Sequence, residues 1–292
     1  MAIKTIKAHA KVNLMLHVTE KLPNGYHSLQ SVFAFTDLVD EISLEESKVA
    51  NISYQGEFSG TIDVGQDSVT KALAWYFAHT GLPPRHYNVK VQKNIPIAAG
   101  LGGGTSDAAA ILAWLYRQDF MSSLEAAKWN FVKASGVLGA DVPVSLAFHL
   151  GLGKIFWVEG SGQEGEITPL TPKNLSRQVV LVNSGVRLST ADVFAKLSGR
   201  YDERISAPDI LTDQFMQSTR NILQAAALPL CPDIPKIFML FMLNTSCKYF
   251  RMSGTGATCF SMFRNKSMAQ AMADKIASNN RGWWVKRTDI YV

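Results

Sequence analysis

The chain has 292 residues, of which 47% are hydrophobic, so it can bury one large core or two ordinary ones. Its formal net charge is +5 without any run of five like charges, which favours a phosphorylated metabolite over a nucleic acid as partner. Three scattered cysteines exclude a disulfide framework, and no stretch resembles a secretory leader or a membrane span. We expect a cytoplasmic protein with no nucleic-acid or membrane partner, acting as a monomer or homodimer.

Near the start of the chain, alternating apolar and polar residues predict a long strand. Lys11 and Asn13 point the same way from this strand, either on an exposed face or in a site. The turn Pro23-Asn24-Gly25 follows. Tyr26 and His27 come directly after it and either pack within a hairpin or form a stacking surface.

Capping signals predict two helices farther along. Asp67 or Ser68 is placed to cap a helix with an apolar stripe that ends near Gly81. Ser122 and Glu125 have the spacing of a capping box, which predicts Ser122 as the N-cap of a later helix.

The densest motif lies between these helices, from Pro96 to Ser106, where four glycines and two hydroxyl residues separate a predicted strand from a predicted helix. Such a loop directs backbone N–H groups and the positive end of a helix dipole at its ligand, which suits a phosphate. The lysine of the ATPase loop and the third glycine of the dinucleotide fingerprint are both missing. A glycine-rich turn without a ligand is the alternative.

Two later motifs are also candidates for a site. Asp141 stands among small and apolar residues, and it either caps a short turn or is a buried carboxylate held for proton transfer. A second glycine-rich loop contains Gly254, Thr255 and Gly256 and forms either a simple bulge or part of a site.

Prolines at 169 and 172 predict a boundary between an N-terminal domain, 1–170, and a C-terminal domain, 171–292. The second half alternates strands with helices, including helical stretches near 208–227 and 235–243. This alternation predicts an α+β or split βαβ unit.

Taken in order, these motifs resemble those of a kinase superfamily. The stretch from Pro96 is similar to the phosphate loop of the galactokinase, homoserine kinase, mevalonate kinase and phosphomevalonate kinase superfamily. Four further motifs, at 10–14, 23–27, 138–143 and 253–257, make both halves of the chain resemble the 4-diphosphocytidyl-2-C-methyl-D-erythritol kinase family.

The resemblance implies an α+β, two-domain small-molecule kinase fold. Its N-terminal domain has a mixed sheet with helices, its C-terminal domain is a ferredoxin-like split βαβ unit, and the active site lies in the cleft between them. The implied reaction is ATP-dependent phosphorylation of the 2-hydroxyl of 4-diphosphocytidyl-2-C-methyl-D-erythritol, in the non-mevalonate route to isoprenoids. Mg²⁺ is expected to arrive with ATP, without a dedicated protein ligand.

The resemblance also implies residue roles. Asp141 is the expected catalytic base and Lys11 its charge partner, while Gly254, Thr255 and Gly256 close the site. The residues expected to bind the acceptor substrate are Asn13, Tyr26, His27, Thr190 and Phe194, with the cytosine held by Tyr26, His27 and Phe194. The residues expected to bind ATP are Pro96, Ala98, Gly100, Leu101, Gly102, Gly103, Gly104, Thr105 and Ser106.

Two positions depart from the family pattern. His9 stands where the family often has a proline, and Ser68 stands where many members have an asparagine near the adenine. Two other functions stay open from the residues alone. One is a superfamily kinase acting on mevalonate, homoserine or a sugar, and the other is a non-catalytic module that binds nucleotides or nucleic acid.

Overall fold

The computed structural model describes residues 3–60, 62–161, 165–197 and 199–292. Its strands are β1 (Lys4–Lys21), β2 (His27–Ser47), β3 (Asn51–Gln55), β4 (His86–Gln92), β5 (Ile155–Gly160), β6 (Glu166–Pro169), β7 (Gln178–Asn183), β8 (Tyr249–Met252), β9 (Cys259–Phe263) and β10 (Trp284–Asp289). Its helices are α1 (Ser68–Thr80), α2 (Gly103–Asp119), α3 (Glu125–Ala134), α4 (Val142–Leu150), α5 (Thr190–Ala195), α6 (Asp213–Ser218), α7 (Leu223–Ala227), α8 (Asp233–Met242) and α9 (Lys266–Asn279).

The described residues form two compact units, each assembled from separate segments of the chain. The first unit takes its residues from 1–11, 38–97 and 102–152, and the second from 12–37, 98–101 and 153–292. Strands β1 and β2 are therefore each divided between the two units, β1 after Lys11 and β2 after Asp37. The domain boundary at residue 170 stays a prediction.

The first unit combines a mixed sheet with helices. Strand β3 pairs parallel with β4, and β4 pairs antiparallel with the second part of β2. Tyr87, Val89 and Val91 alternate along β4 toward the core, as expected for a half-buried strand. Helix α2 packs against α1 and α4. Asp67 caps α1, as predicted, by accepting a hydrogen bond from the backbone N–H of Thr70.

The predicted capping box at Ser122 and Glu125 is wrong. Helix α3 begins at Glu125 itself, and Leu124 is its N-cap. The carbonyl of Leu124 accepts from the N–H groups of Ala127 and Lys128, so the N-cap lies two residues beyond Ser122 and the helix begins three residues beyond it. Glu125 is then the first helical residue instead of the third, and it cannot reach back to a capping serine.

The second unit contains the predicted split βαβ arrangement. Its sheet has the order β10-β7-β9-β8, with each neighbouring pair antiparallel. Strand β9 lies between β7 and β8, which is the order of a ferredoxin-like sheet. Helix α9 packs against β7, β9 and β10, and α8 packs against β8 and β9. The first part of β2 belongs to the same unit and pairs antiparallel with β5, which in turn pairs with β6.

The helical stretch predicted over 208–227 is interrupted in the structure. It forms two short helices, α6 and α7, because the backbone between them pairs with β1 instead. Leu16 donates its N–H to the carbonyl of Arg220, and its own carbonyl accepts from Ile222. No helix among the described residues is long and apolar enough to cross a membrane.

Strand β1 is buried on both faces through its middle. Lys11 is 4% exposed and Asn13 is 1% exposed, so the exposed strand face that the sequence left open is wrong. Buried polar groups are costly unless they find partners, which places both side chains in polar environments inside the protein.

Within the second unit, residues 98–101 are bonded to the second glycine-rich loop. The hydroxyl of Ser253 donates to the carbonyl of Gly100 at 2.8 Å and accepts from the N–H of Asn13 at 3.2 Å. The N–H of Thr258 donates to the carbonyl of Ala99 at 3.3 Å. Gly100 has φ +77°, and a Cβ built on it would lie 2.2 Å from the carbonyl oxygen of Ser253.

This packing predicts that Gly100→Ala destabilises the protein more than its backbone angle alone requires. Gly185 is the matched control, because it has φ +86° and a Cβ there would meet no described atom within 4 Å. We expect Gly185→Ala to lower the free energy of unfolding by about 1 kcal/mol. Gly100→Ala should cost about 1–3 kcal/mol more, since the clash is with backbone. Equal losses in denaturant melts of the two variants would contradict the close contact.

Candidate active site

The predicted phosphate loop adopts the backbone of an anion-binding turn before a helix. Ala98, Gly100 and Gly102 all have positive φ, and α2 begins at Gly103 with Gly102 as its left-handed N-cap. The first N–H groups of a helix have no partner within the helix, and the helix dipole adds partial positive charge there. Gly104 is exposed, so this end of α2 is open to a ligand. The backbone therefore fits the phosphates of a nucleotide.

The two hydroxyl residues of the loop are used differently. Thr105 donates from Oγ1 to the carbonyl of Gly102 at 2.8 Å. Ser106 is fully buried and donates from Oγ to the carbonyl of His9 at 2.7 Å, which anchors the start of α2 on β1. Its oxygen also lies 3.3 Å from Nε2 of His149, and burial lowers the pKa of that imidazole to about 3. The Ser106 hydroxyl is thus occupied inside the protein.

Lys11 lies between the loop and Asp141 in the first unit. A Cβ built on Gly102 would lie 2.8 Å from Cγ of Lys11, so the lysine stem packs directly on this glycine. The Lys11 ammonium lies 3.2 Å from Oδ2 of Asp141. The Lys11 side chain is 5% exposed and that of Asp141 is 33% exposed. The carboxylate therefore pairs with a buried ammonium while one side of it faces outward.

Asp141 stands at the N-cap of α4, but its side chain makes no capping hydrogen bond with the described residues. The predicted alternative of a simple helix cap is therefore not what the carboxylate does. An ionised acid beside a lysine and a phosphate-binding turn can accept a proton from a hydroxyl that is brought to it.

Ser68 lies close to the loop as well. A Cβ on Gly104 would lie 3.1 Å from Oγ of Ser68, the first residue of α1. The position where the family pattern often has asparagine is therefore next to the start of α2.

In the second unit, the loop of Gly254, Thr255 and Gly256 is held by a side chain that the sequence motifs did not single out. Gly254 and Gly256 have positive φ, and Nδ2 of Asn221 donates to the carbonyls of Gly254 and Met252, both at 2.8 Å. Asn221 lies within the interruption between α6 and α7, which sequence periodicity does not show.

Thr255 and Ser253 connect this loop to other predicted site residues. Oγ1 of Thr255 lies 3.3 Å from Oγ1 of Thr190, the first residue of α5. Ser253 bonds to the backbone of Asn13, and the Asn13 side chain donates from Nδ2 to Oγ of Ser31 at 2.9 Å. Asn13 is thus held in the second unit by side chains from two other segments of the chain, around Ser31 and Ser253.

An aromatic pair marks the predicted cytosine pocket. His27 stacks on Phe194 with ring centroids 4.9 Å apart and an interplanar angle of 27°. The ring centroid of Tyr201, a residue that the sequence motifs did not single out, lies 6.2 Å from that of His27. Burial lowers the pKa of His27, and the positive charge of Lys21 lowers it further. The neutral imidazole is therefore favoured. Tyr26 is 64% exposed and stands at the adjoining turn.

Two family models and curated relatives match this chain. Residues 67–147 match the family model of the GHMP kinases N terminal domain, and residues 206–282 match that of the GHMP kinases C terminal. A 4-diphosphocytidyl-2-C-methyl-D-erythritol kinase of Mesorhizobium japonicum is 36% identical over 98% of this chain and 95% of its own length. One of Cereibacter sphaeroides is 33% identical over 95% of this chain and 96% of its own length.

Solved structures show the same fold. A crystal structure of a 4-(cytidine 5'-diphospho)-2C-methyl-D-erythritol kinase has a TM-score of 0.71 at 24% identity, over 98% of this chain and 99% of that one. A homoserine kinase of Cytophaga hutchinsonii has a TM-score of 0.68 at 15% identity, over 99% of this chain and 95% of that one. At these identities the two structures support the fold alone.

The predicted two-domain kinase fold and the predicted family resemblance are therefore both confirmed. The chain belongs to the 4-diphosphocytidyl-2-C-methyl-D-erythritol kinase family of the GHMP kinases and is an ATP-dependent small-molecule kinase.

Proposed function

We propose that this kinase transfers the γ-phosphoryl group of ATP to the 2-hydroxyl of 4-diphosphocytidyl-2-C-methyl-D-erythritol, giving the 2-phosphate and ADP in the non-mevalonate route to isoprenoids. The names of its relatives support the acceptor. The observation that carries the chemistry is the position of Lys11, which packs on Gly102 of the glycine loop and pairs with Asp141.

In this proposal Asp141 is the general base. Its carboxylate accepts the proton of the 2-hydroxyl, the hydroxyl oxygen forms a bond to the γ-phosphorus, and the bond from that phosphorus to the ADP oxygen breaks. Lys11 holds the carboxylate in place and offsets negative charge that develops during transfer. Phosphoryl transfer depends mainly on such positioning and charge stabilisation.

The glycine loop supplies the nucleotide side of the proposed site. Backbone N–H groups of Gly103 and Gly104, at the start of α2, are the proposed phosphate donors. The described residues include no group of three or more His, Cys, Asp or Glu side chains that could hold a metal ion. We propose that Mg²⁺ is carried by the nucleotide phosphates, without a dedicated protein ligand.

The acceptor side of the proposed site is the pair His27 and Phe194. Their centroids are too close for a base to enter between the rings, so cytosine stacks on an outer face of the pair. Tyr26 is exposed and can cover the base without leaving a core contact. Thr190, Thr255 and Asn13 are the proposed polar contacts to the rest of the substrate.

The function is tested by ADP release from ATP and Mg²⁺ with 4-diphosphocytidyl-2-C-methyl-D-erythritol, run beside mevalonate, homoserine and galactose. We expect turnover with the cytidylyl alcohol alone, because only it presents a cytosine to the aromatic pair. Activity with another of these alcohols and none with the cytidylyl compound would retain the kinase and refute the acceptor.

Asp141→Asn should reduce kcat by roughly 10²–10⁴-fold, because it removes the base. The dissociation constant for ATP should stay within about threefold of the unaltered protein, since a threefold change is only about 0.7 kcal/mol. Asp63→Asn, at an exposed aspartate, is the control and should leave both values unchanged. A kcat for Asp141→Asn equal to that of the control would exclude the assigned role.

Phe194→Ala should raise KM for the cytidylyl substrate about tenfold, corresponding to about 1.4 kcal/mol of lost stacking, and leave KM for ATP unchanged. The matched control is Phe120→Ala, which removes a partly exposed ring from the end of α2 and should affect neither constant. Parallel increases in both KM values for Phe194→Ala would show that the ring does not belong to a dedicated cytosine pocket.

A further inference from the structure

A buried cluster of three charged side chains lies in the first unit, and the proposed mechanism does not use it. Asp40 on β2, Lys93 just after β4, and Asp107 on α2 are each no more than 2% exposed. The Lys93 ammonium contacts Oδ2 of Asp40 and lies 2.6 Å from Oδ2 of Asp107. Burying three ionisable groups is costly, so the arrangement calls for an explanation.

The cluster is bonded to both ends of the glycine loop. Oδ1 of Asp40 accepts from the backbone N–H groups of Asn94 and Ile95, at 2.5 and 2.8 Å, immediately before the loop begins. A Cβ on Gly103 would lie 3.4 Å from Nζ of Lys93, so the ammonium sits against the first residue of α2. Asp107 is in the second turn of the same helix. The cluster therefore fixes where the chain enters the loop and where the helix starts.

The two carboxyl groups have different hydrogen-bond environments. Asp40 receives two backbone N–H groups and the Lys93 ammonium, which suits an ionised carboxylate. Asp107 has only Lys93 at Oδ2, and its buried Oδ1 has no hydrogen-bond partner among the described residues. If both acids were ionised, the cluster would carry a net negative charge directly behind a loop that must bind phosphates.

We propose that Asp40, Lys93 and Asp107 form a positioning cluster for the phosphate loop, in which Asp40 and Lys93 carry opposite charges and Asp107 holds a proton. The cluster is then neutral while the nucleotide phosphates are bound in front of it. This inference rests on the proposed role of the glycine loop in ATP binding, and it makes ATP binding and protonation of Asp107 favour each other.

The titration of Asp107 agrees with this assignment. Burial raises its pKa to about 8, against the opposing effect of Lys93 and with a further increase from Asp40. Burial alone would lower the pKa of Lys93, but the two carboxyl groups raise it, so the lysine stays charged. Asp107 is therefore the member of the cluster that loses its proton as the solution becomes alkaline.

Three other titratable groups near this end of α2, Tyr54, Asp67 and His149, have pKa values shifted away from the range between pH 7.5 and 9.5. Burial and a hydrogen bond to Asp67 raise the pKa of Tyr54, and hydrogen bonds hold the pKa of Asp67 low despite its burial. His149 of α4 has a pKa of about 3. Lys11 packs on Gly102 and is the same in every variant compared, so a difference between variants at position 107 is due to that residue.

The test measures ATP binding by titration calorimetry, without acceptor, between pH 7.5 and 9.5. We expect the affinity of the unaltered protein to fall about fivefold or more across this range, as coupling energies of this kind allow. Asp107→Asn, which mimics the protonated acid, should keep the affinity seen at pH 7.5 and lose the dependence on pH. The control is Asp119→Asn, at a carboxylate paired with Arg85 at the far end of α2, and it should follow the unaltered protein.

Asp40→Asn should behave differently from Asp107→Asn, because Asp40 is the ionised member. We expect it to weaken ATP binding about tenfold at every pH, which is about 1.4 kcal/mol. Similar behaviour of the two variants, a pH profile of Asp107→Asn like that of the unaltered protein, or loss of ATP binding by Asp107→Asn at pH 7.5 would each overturn the proposal.

Infrared spectroscopy of the unaltered protein decides the matter if a variant fails to fold. A protonated carboxyl band at pH 7 that disappears above pH 9 supports the proposal, and its absence at pH 7 overturns it. The function proposed above can fail separately: ATP binding with the expected pH profile, but without turnover of the cytidylyl alcohol, would refute the acceptor and retain the cluster.

Discussion

The chemistry proposed for this kinase depends on a charged lysine inside a strand that is buried on both faces. An ammonium group in such a place must be compensated, and Lys11 is compensated by Asp141. The same side chain has its stem against Gly102, which has no side chain to displace it. A single lysine thus contacts both the glycine loop and a carboxylate, which are the proposed phosphate-binding and proton-accepting groups of the transfer.

The glycine loop is held in place by neighbouring groups, some of which occupy the space that a side chain would fill. On one side, Gly100 accepts a hydrogen bond from Ser253 where a Cβ would collide with backbone. On the other side, Ser106 anchors α2 to the carbonyl of His9. Loops as glycine-rich as this one lose much conformational entropy on folding, so a fixed shape requires such bonds. A preformed loop needs little reorganisation when phosphates bind, which is how preorganisation raises affinity.

Local signals in the sequence identified much of this architecture. The cap at Asp67 depends on neighbours within three residues, and the start of α2 depends on the glycine loop itself, so both could be predicted. The alternation of strands and helices after residue 170 similarly predicted the split βαβ sheet. The capping box at Ser122 failed because the same short pattern is compatible with a helix that begins three residues later, at Glu125.

Long-range contacts could not be predicted in this way. Lys93 and Asp40 are 53 residues apart, and Asn221 holds a loop more than 30 residues farther along the chain. No sequence periodicity indicates such pairs, since the simplest prediction for each of these polar residues alone is a solvent-exposed position. For Lys11 and Asn13 the sequence left an exposed face open, and only the burial of both faces of β1 excludes it.

The buried lysines on either side of the loop solve different electrostatic problems. In the proposed mechanism, the Asp141 carboxylate that pairs with Lys11 is partly exposed, so the positive charge of Lys11 is available where charge moves during transfer. Lys93 contacts two carboxyl groups that are buried away from water, so its positive charge is compensated within the protein. A phosphate loop needs an available positive charge on the side of its ligand and no net negative charge on its buried side. If the glycine loop binds ATP as proposed, neutrality of the buried cluster is as much a condition for binding this polyanion as the backbone N–H groups at the start of α2.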